Sequence, residues 1–149
     1  MKIRDGFVSN SSSSSFIIDF KKGNITESDI KNFLLSLGYE FDDIDYSTAK
    51  FLELVQKVSL EKYEERLADY QTQFKKSNDN WMKSYYNDRI EKIKHIISYL
   101  KKSGNTLFEI DLSDDSNDAD YIPVNEENYE CLEYVLQYSD EVFEYFNNH

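Results

Sequence analysis

Residues 59–104 read SLEKYEERLADYQTQFKKSNDNWMKSYYNDRIEKIKHIISYLKKSG, and their periodicity decides the fold. Leu60, Tyr63, Leu67, Tyr70 and Phe74 recur three and four residues apart, the spacing that gathers side chains on one stripe of a helix. Trp81, Tyr85, Tyr86, Ile90, Ile93, Ile96, Ile97 and Leu100 form a second stripe. Between them Ser77-Asn78-Asp79-Asn80 is a polar break. The stretch therefore predicts a long antiparallel helical hairpin over about 59–102 rather than one continuous rod, with Ser103-Gly104 ending its second arm.

Strand signals flank the hairpin. Phe16 to Phe20 is aromatic and β-branched, and Phe16, Ile18 and Phe20 share one face of a strand while Ile17 and Asp19 share the other. Ser11 to Ser15 reads as a polar loop feeding that strand, because serine hydroxyls bond their own backbone in turns. Lys21-Lys22-Gly23-Asn24 is a turn. Thr26 and Asp29 form a capping box with Asp in place of Glu, opening a helix with Ile30, Phe33, Leu34 and Leu37 that Gly38 stops. Tyr39 to Tyr46 is an acidic connection, after which Ser47 caps a helix carrying Phe51, Leu52, Leu54, Val55 and Val58.

Beyond the hairpin, Thr106 to Leu112 alternates as a second strand and Ser113 to Asp120 is an acidic loop. Tyr121 to Val124 is extended, since Pro123 disfavours helix for the residue before it. Asn125 is expected to cap a helix bearing Tyr129, Leu132, Val135 and Leu136, and Ser139 a last short helix with Val142, Phe143 and Phe146. The expected architecture is a single α+β domain, 1–149, predominantly helical. It has a small two-stranded sheet at about 16–20 and 106–112, the hairpin at about 59–102, and two C-terminal helices.

Composition narrows the function classes. One cysteine, Cys131, excludes an intramolecular disulfide and any multi-cysteine zinc site. The N-terminal stretch lacks the continuous apolar core of a signal peptide, and no apolar run approaches the roughly 20 residues that span a bilayer. A soluble, cytoplasmic protein is expected.

The net charge of −12 argues against direct contact with a nucleic-acid backbone. Its distribution is uneven. Residues 47–104 hold twelve bases and eight acids, whereas 105–149 hold thirteen acids and no Lys or Arg.

Catalytic motifs are missing from the pattern. The serine run has no nearby glycine cradle or positioned base, and the only histidines are His95 and His149. His95 with Glu91 one helical turn before it offers two ligands without a third. Asp111, Asp114, Asp115, Asp118 and Asp120 resemble a calcium loop until the sixth position, Ala119, and the twelfth, Asn125, break the pattern. Cys131 beside Leu132 reads as core packing. No catalytic residue, cofactor or metal is assigned, and an enzyme is not expected.

The acidic end remains. Carboxylates at Glu126, Glu127, Glu130 and Glu133 on a helix, with Asp114, Asp115, Asp118 and Asp120 in the loop before it, array regular negative charge. Tyr129 and Tyr134, together with Tyr138 and Tyr145, supply aromatic anchors of the kind that dominate interfaces. The partner this predicts is a basic protein.

The opening, Met1-Lys2-Ile3-Arg4-Asp5-Gly6-Phe7-Val8-Ser9-Asn10 followed by Ser11 to Ser15 and Phe16, resembles a start shared by small proteins of bacteriophages and related mobile elements. The resemblance spans these sixteen residues and implies provenance alone. A small acidic phage protein invites the expectation of an anti-defence inhibitor, acting in the infected bacterial cytoplasm. It would block a CRISPR effector or similar complex by mimicking nucleic acid in a basic channel. One alternative is an accessory protein docking through the hairpin with Trp81 and Tyr85, and another is a small nucleotide-dependent modifying enzyme using the serine loop.

Overall fold

Strand β1, Ser13–Ile18, is the centre of the molecule, with hydrogen-bonded neighbours on both sides. The computed structural model describes residues 13–38, 41, 43–125, 127 and 130–147. Strand β1 pairs antiparallel with β3 (Phe108–Ser113) and with β6 (Val142–Asn147), while β2 (Gln56–Lys57) extends the sheet beyond β3, giving the order β2-β3-β1-β6. Helices α1 (Glu27–Ser36), α2 (Ile44–Leu54) and α5 (Leu132–Leu136) supply the core on one face. Helices α3 (Leu60–Lys76) and α4 (Asn80–Ser103) supply it on the other.

The alternation expected for residues 16–20 is what divides these two cores. Phe16 and Ile18 join Ile30, Leu34 and Phe51, whereas Ile17 joins Tyr63, Ile93 and Ile96. Phe16, Ile17 and Ile18 each have 0 % exposure, so the strand is covered on both faces. Of the caps expected from the sequence, the box at Thr26 forms. Thr26 and Asp29 close the capping box, with Asp29 N donating to Thr26 Oγ1 at 3.2 Å and Thr26 N to Asp29 Oδ2 at 2.9 Å. Ser59 Oγ accepts from Lys62 N, Asp79 Oδ1 accepts from Trp81 N, and Gly104 ends α4 in the left-handed conformation at φ 71°.

Three sequence expectations are corrected. The serine run is not all loop: Ser13 to Ser15 pair with Ser113 to Asp111, and Ser14 is fully buried with its hydroxyl donating to Glu133 Oε2 at 2.6 Å. Two-sided backbone pairing and a carboxylate acceptor offset the burial of a polar residue there. Helix α2 begins at Ile44, capped by Asp43, and ends at Leu54, so Ser47 is an interior residue and Val55 and Val58 lie past the helix.

The C-terminus is built of strands more than helices. Strand β4 (Pro123–Asn125) pairs with β5 (Glu130–Cys131) in a second small sheet, leaving only the five-residue α5, and 142–147 is strand β6. Val142, Phe143 and Phe146 fit helical spacing, but they are also strand formers, and the open side of β1 gives them a partner. Their pairing shifts register between Ile17 and Ile18, so Phe143 and Glu144 both reach the α4 side. Lys92 Nζ donates to Tyr145 O at 2.5 Å and Arg89 Nη2 to Asn147 O at 2.7 Å, so two cations of α4 tie down this edge strand.

Candidate functional site

The hairpin is longer than the sheet it covers. Helix α4 has 24 residues, about 36 Å at 1.5 Å per residue, against about 20 Å for the six residues of β1. Burial follows this mismatch: Tyr63 on α3 and Arg89, Ile90, Ile93, Ile96 and Ile97 on α4 are buried, and from Glu64 to Asp88 no residue is. Leu67 and Tyr70 still pack against the core of Tyr63, Ile93 and Ile97, and Arg66 reaches Glu109 of β3. Beyond them, from Phe74 to Tyr85, the two helices form an arm without a buried residue. Leu67, Tyr70 and Phe74 reach partial burial only.

An aromatic ladder runs along this arm. Trp81 and Tyr85 stack with centroids 6.0 Å apart and planes at 13°, Tyr85 meets Tyr86 edge-on at 5.2 Å, and Tyr86 lies 6.0 Å from Tyr70. Trp81 is 68 % exposed, so the largest apolar side chain of the protein stands in solvent at the arm's tip. Arg89 places its guanidinium 4.8 Å above Tyr85 and 5.4 Å above Phe146, anchoring the ladder to the sheet. Lys75, Lys76 and Lys83 surround the tip with positive charge, and Lys83 Nζ donates to Phe74 O at 3.3 Å. The helical spacing of these aromatics is the spacing of core residues, and nothing in the periodicity marks where the sheet beneath them stops.

At the root of the hairpin lies a buried polar cluster. Tyr63 Oη donates to Glu109 Oε1 at 3.0 Å, and Arg66 Nη1 sits 3.6 Å from Glu109 Oε2 and over the Tyr63 ring. Burial, with the Glu109 charge adding to it, pushes the Tyr63 phenol well above the ordinary tyrosine range. A hydroxyl held so firmly protonated is a hydrogen-bond donor, not a base.

The acidic end is rearranged relative to expectation. Asp114, Asp115, Asp118 and Glu127 are exposed, Asp120 and Glu130 are half-buried, and Tyr134 is 54 % exposed. Glu133 belongs to no exposed stripe: it is 1 % exposed and engaged by Ser14. The stripe needs Glu130 and Glu133 on one helix, and instead Glu130 lies in strand β5, which runs directly into α5 at Leu132. Glu126 and Tyr129 lie outside the described residues.

Of the other expected anchors, Tyr138 is exposed while Tyr145 stacks on Phe16 at 4.9 Å. The loop 114–120 is held by its own backbone and side chains, with Asp118 N donating to Asp115 O, Asn117 N to Asp115 Oδ1 and Ser113 N to Asp120 O. Asp114, Asp115, Asp118 and Glu127 form no ion pair among the described residues.

The remaining sequence candidates are occupied structurally. His95 Nδ1 lies 2.7 Å from Glu144 Oε2 and its ring stacks on Phe143 at 4.4 Å. Cys131 is 2 % exposed; burial pushes its thiol up, and the nearby Glu133 and Asp114 charges push the same way. Among the described residues no three His, Cys, Asp or Glu side chains are placed to hold a metal ion, and no helix is long and apolar enough to cross a membrane. Compared with protein-family models, curated proteins and solved structures, the chain matches none.

Proposed function

We propose that this chain is a binding protein without catalytic chemistry of its own, and that it grips its partner with the α3–α4 arm. The observation that carries this reading is the arm itself, in which no residue from Phe74 to Tyr85 is buried while Trp81 stands 68 % exposed over Tyr85. Isolated two-helix arms gain little from propensity alone, and a partner covering the ladder would complete the burial that the sheet does not reach. The lysines around the tip suit a partner whose apolar groove is flanked by carboxylates. The test is capture of partners from a bacterial lysate by the full chain, repeated with Trp81→Ala/Tyr85→Ala. Both side chains lie outside the cores, so the variant keeps its fold, and a partner retained at full strength by it rejects the arm.

A second reading rests on the carboxylates of 114–127. That surface, in a segment without Lys or Arg, supports docking to a basic protein. Joined to the phage-like N-terminus, it supports inhibition of a host defence complex through its nucleic-acid channel. Here Asp114→Lys/Asp115→Lys/Asp118→Lys is the deciding variant. Binding that survives it and does not weaken with salt rejects mimicry.

A further inference from the structure

Where β1 leaves the sheet and β6 enters it, the two helical layers part around a cleft of about 650 Å³ that shares no residue with the arm or the acidic loop. Phe20, Phe33, Tyr99 and Phe143 give it aromatic walls, and Asp19, Asp140 and Glu141 give it carboxylates. Among the described residues, Lys21 is the only cation in its lining. The four rings come from the segment just after β1, from α1, from α4 and from the start of β6, so both cores build the site.

Asp19 is the fixed element. Its side chain is 8 % exposed, accepts from the Tyr99 hydroxyl and from Lys21 N at 2.9 Å, and meets Lys21 Nζ at 3.2 Å. Burial alone would raise its pKa. The Tyr99 hydroxyl and the Lys21 amide and ammonium outweigh that and hold the carboxyl below the usual range, so it is a permanent anion near neutral pH. Lys21 is held at φ 62°, a backbone conformation that costs a non-glycine residue energy. Its side chain is otherwise 77 % exposed, so only its charged tip is engaged. The chain thus places an ammonium of its own, on an exposed stem, against a buried anion beside an aromatic-walled cavity.

We propose that this cleft binds a cationic group carried on an apolar body, an ammonium or guanidinium that displaces the Lys21 tip from Asp19. Asp140 and Glu141 steer it at the exposed rim, with Glu141 Oε1 fixed by Ser139 Oγ at 2.8 Å, and the rings hold the apolar carrier. The same chemistry is presented by a free aromatic or alkyl amine and by an arginine side chain of a peptide.

Titration of the full chain, followed by amide chemical shifts and calorimetry, separates these sources. The probes are tyramine, its uncharged analogue 4-ethylphenol, and the peptide Gly-Gly-Arg-Gly-Gly. Binding of tyramine with shifts at Phe20, Lys21 and Val142 supports a small-amine site, and binding of the peptide with the same shifts supports a side-chain site. Equal binding of 4-ethylphenol, or binding of neither cationic probe, overturns the proposal. Asp140→Asn/Glu141→Gln changes only exposed rim groups and should weaken the cationic probe about tenfold. Lys21→Met removes the resident competitor and should tighten binding several-fold. Unchanged affinity in the first variant overturns recognition of charge, and equal or weaker binding in the second overturns displacement.

Discussion

At the scale of single residues, the fold relies on polar groups that are buried only because a partner waits for them. Ser14 has no exposed surface, and its 2.6 Å bond to Glu133 joins the central strand to α5. Ser14→Ala removes a donor from a carboxylate that stays buried, and should cost about 1–3 kcal/mol in denaturant unfolding. A loss within the error of the measurement would show that Glu133 is satisfied without it.

Asp19 makes a pH prediction. Its folded pKa is depressed, so its contribution to stability is complete above the ordinary carboxylate range and is lost as pH falls through the lower folded value. Between neutral pH and about pH 5 its contribution should be flat. Below that, the wild-type melting temperature should fall more steeply than that of Asp19→Asn, and parallel acid limbs would refute the assignment. Neither the Ser14–Glu133 bond nor the Asp19–Tyr99 bond was visible in composition, because they join residues 119 and 80 positions apart.

Among the elements, the hairpin was the most legible and β6 the least. The stripes and the polar break predicted helices over about 59–102, and α3 and α4 occupy Leu60–Lys76 and Asn80–Ser103. Local periodicity sufficed there because each helix satisfies its own backbone. Residues 142–147 carry apolar positions compatible with both periods, and the choice was made by β1, whose second edge needs a partner. The misread serines have the same cause. Ser13 to Ser15 are strand because β3 and β6 flank them, although their own propensity favours turns.

The arm carries its own prediction at this scale. Amides between Phe74 and Tyr85 should exchange with solvent at least about tenfold faster than those between Ile93 and Leu100, since local opening of the arm exposes little buried surface. Uniform protection along both helices would mean that the arm is stabilised as firmly as the root.

For the whole molecule, one strand supplies both cores, so neither half is independent. Ile17 faces the hairpin and Phe16 and Ile18 the opposite layer. Ile17→Ala should cost about 2–4 kcal/mol, and should lower the unfolding of both layers together. Near-ultraviolet signals from the aromatic core of α1 and α2, and far-ultraviolet signals dominated by α3 and α4, should still give coincident transitions. Two separated transitions would show that the layers fold as separate units.

What the sequence determined by itself was whatever depends on neighbours along the chain. That includes the helical hairpin, the capping box at Thr26, the end at Gly104, the two-faced strand at Phe16 to Ile18, and the segregation of acid to 105–149. Only the tertiary structure decided which apolar stripe finds a cover, which carboxylate is buried, and which ambiguous segment becomes a strand. Those outcomes depend on where a sheet edge or a helix end falls in space. The apolar stripes of α3 and α4 run on to either side of the polar break at 77–80, yet the sheet is shorter than the helices, so their far part holds no buried residue. The cleft at Asp19 exists for a similar geometric reason, at the end of the sheet where the two layers diverge.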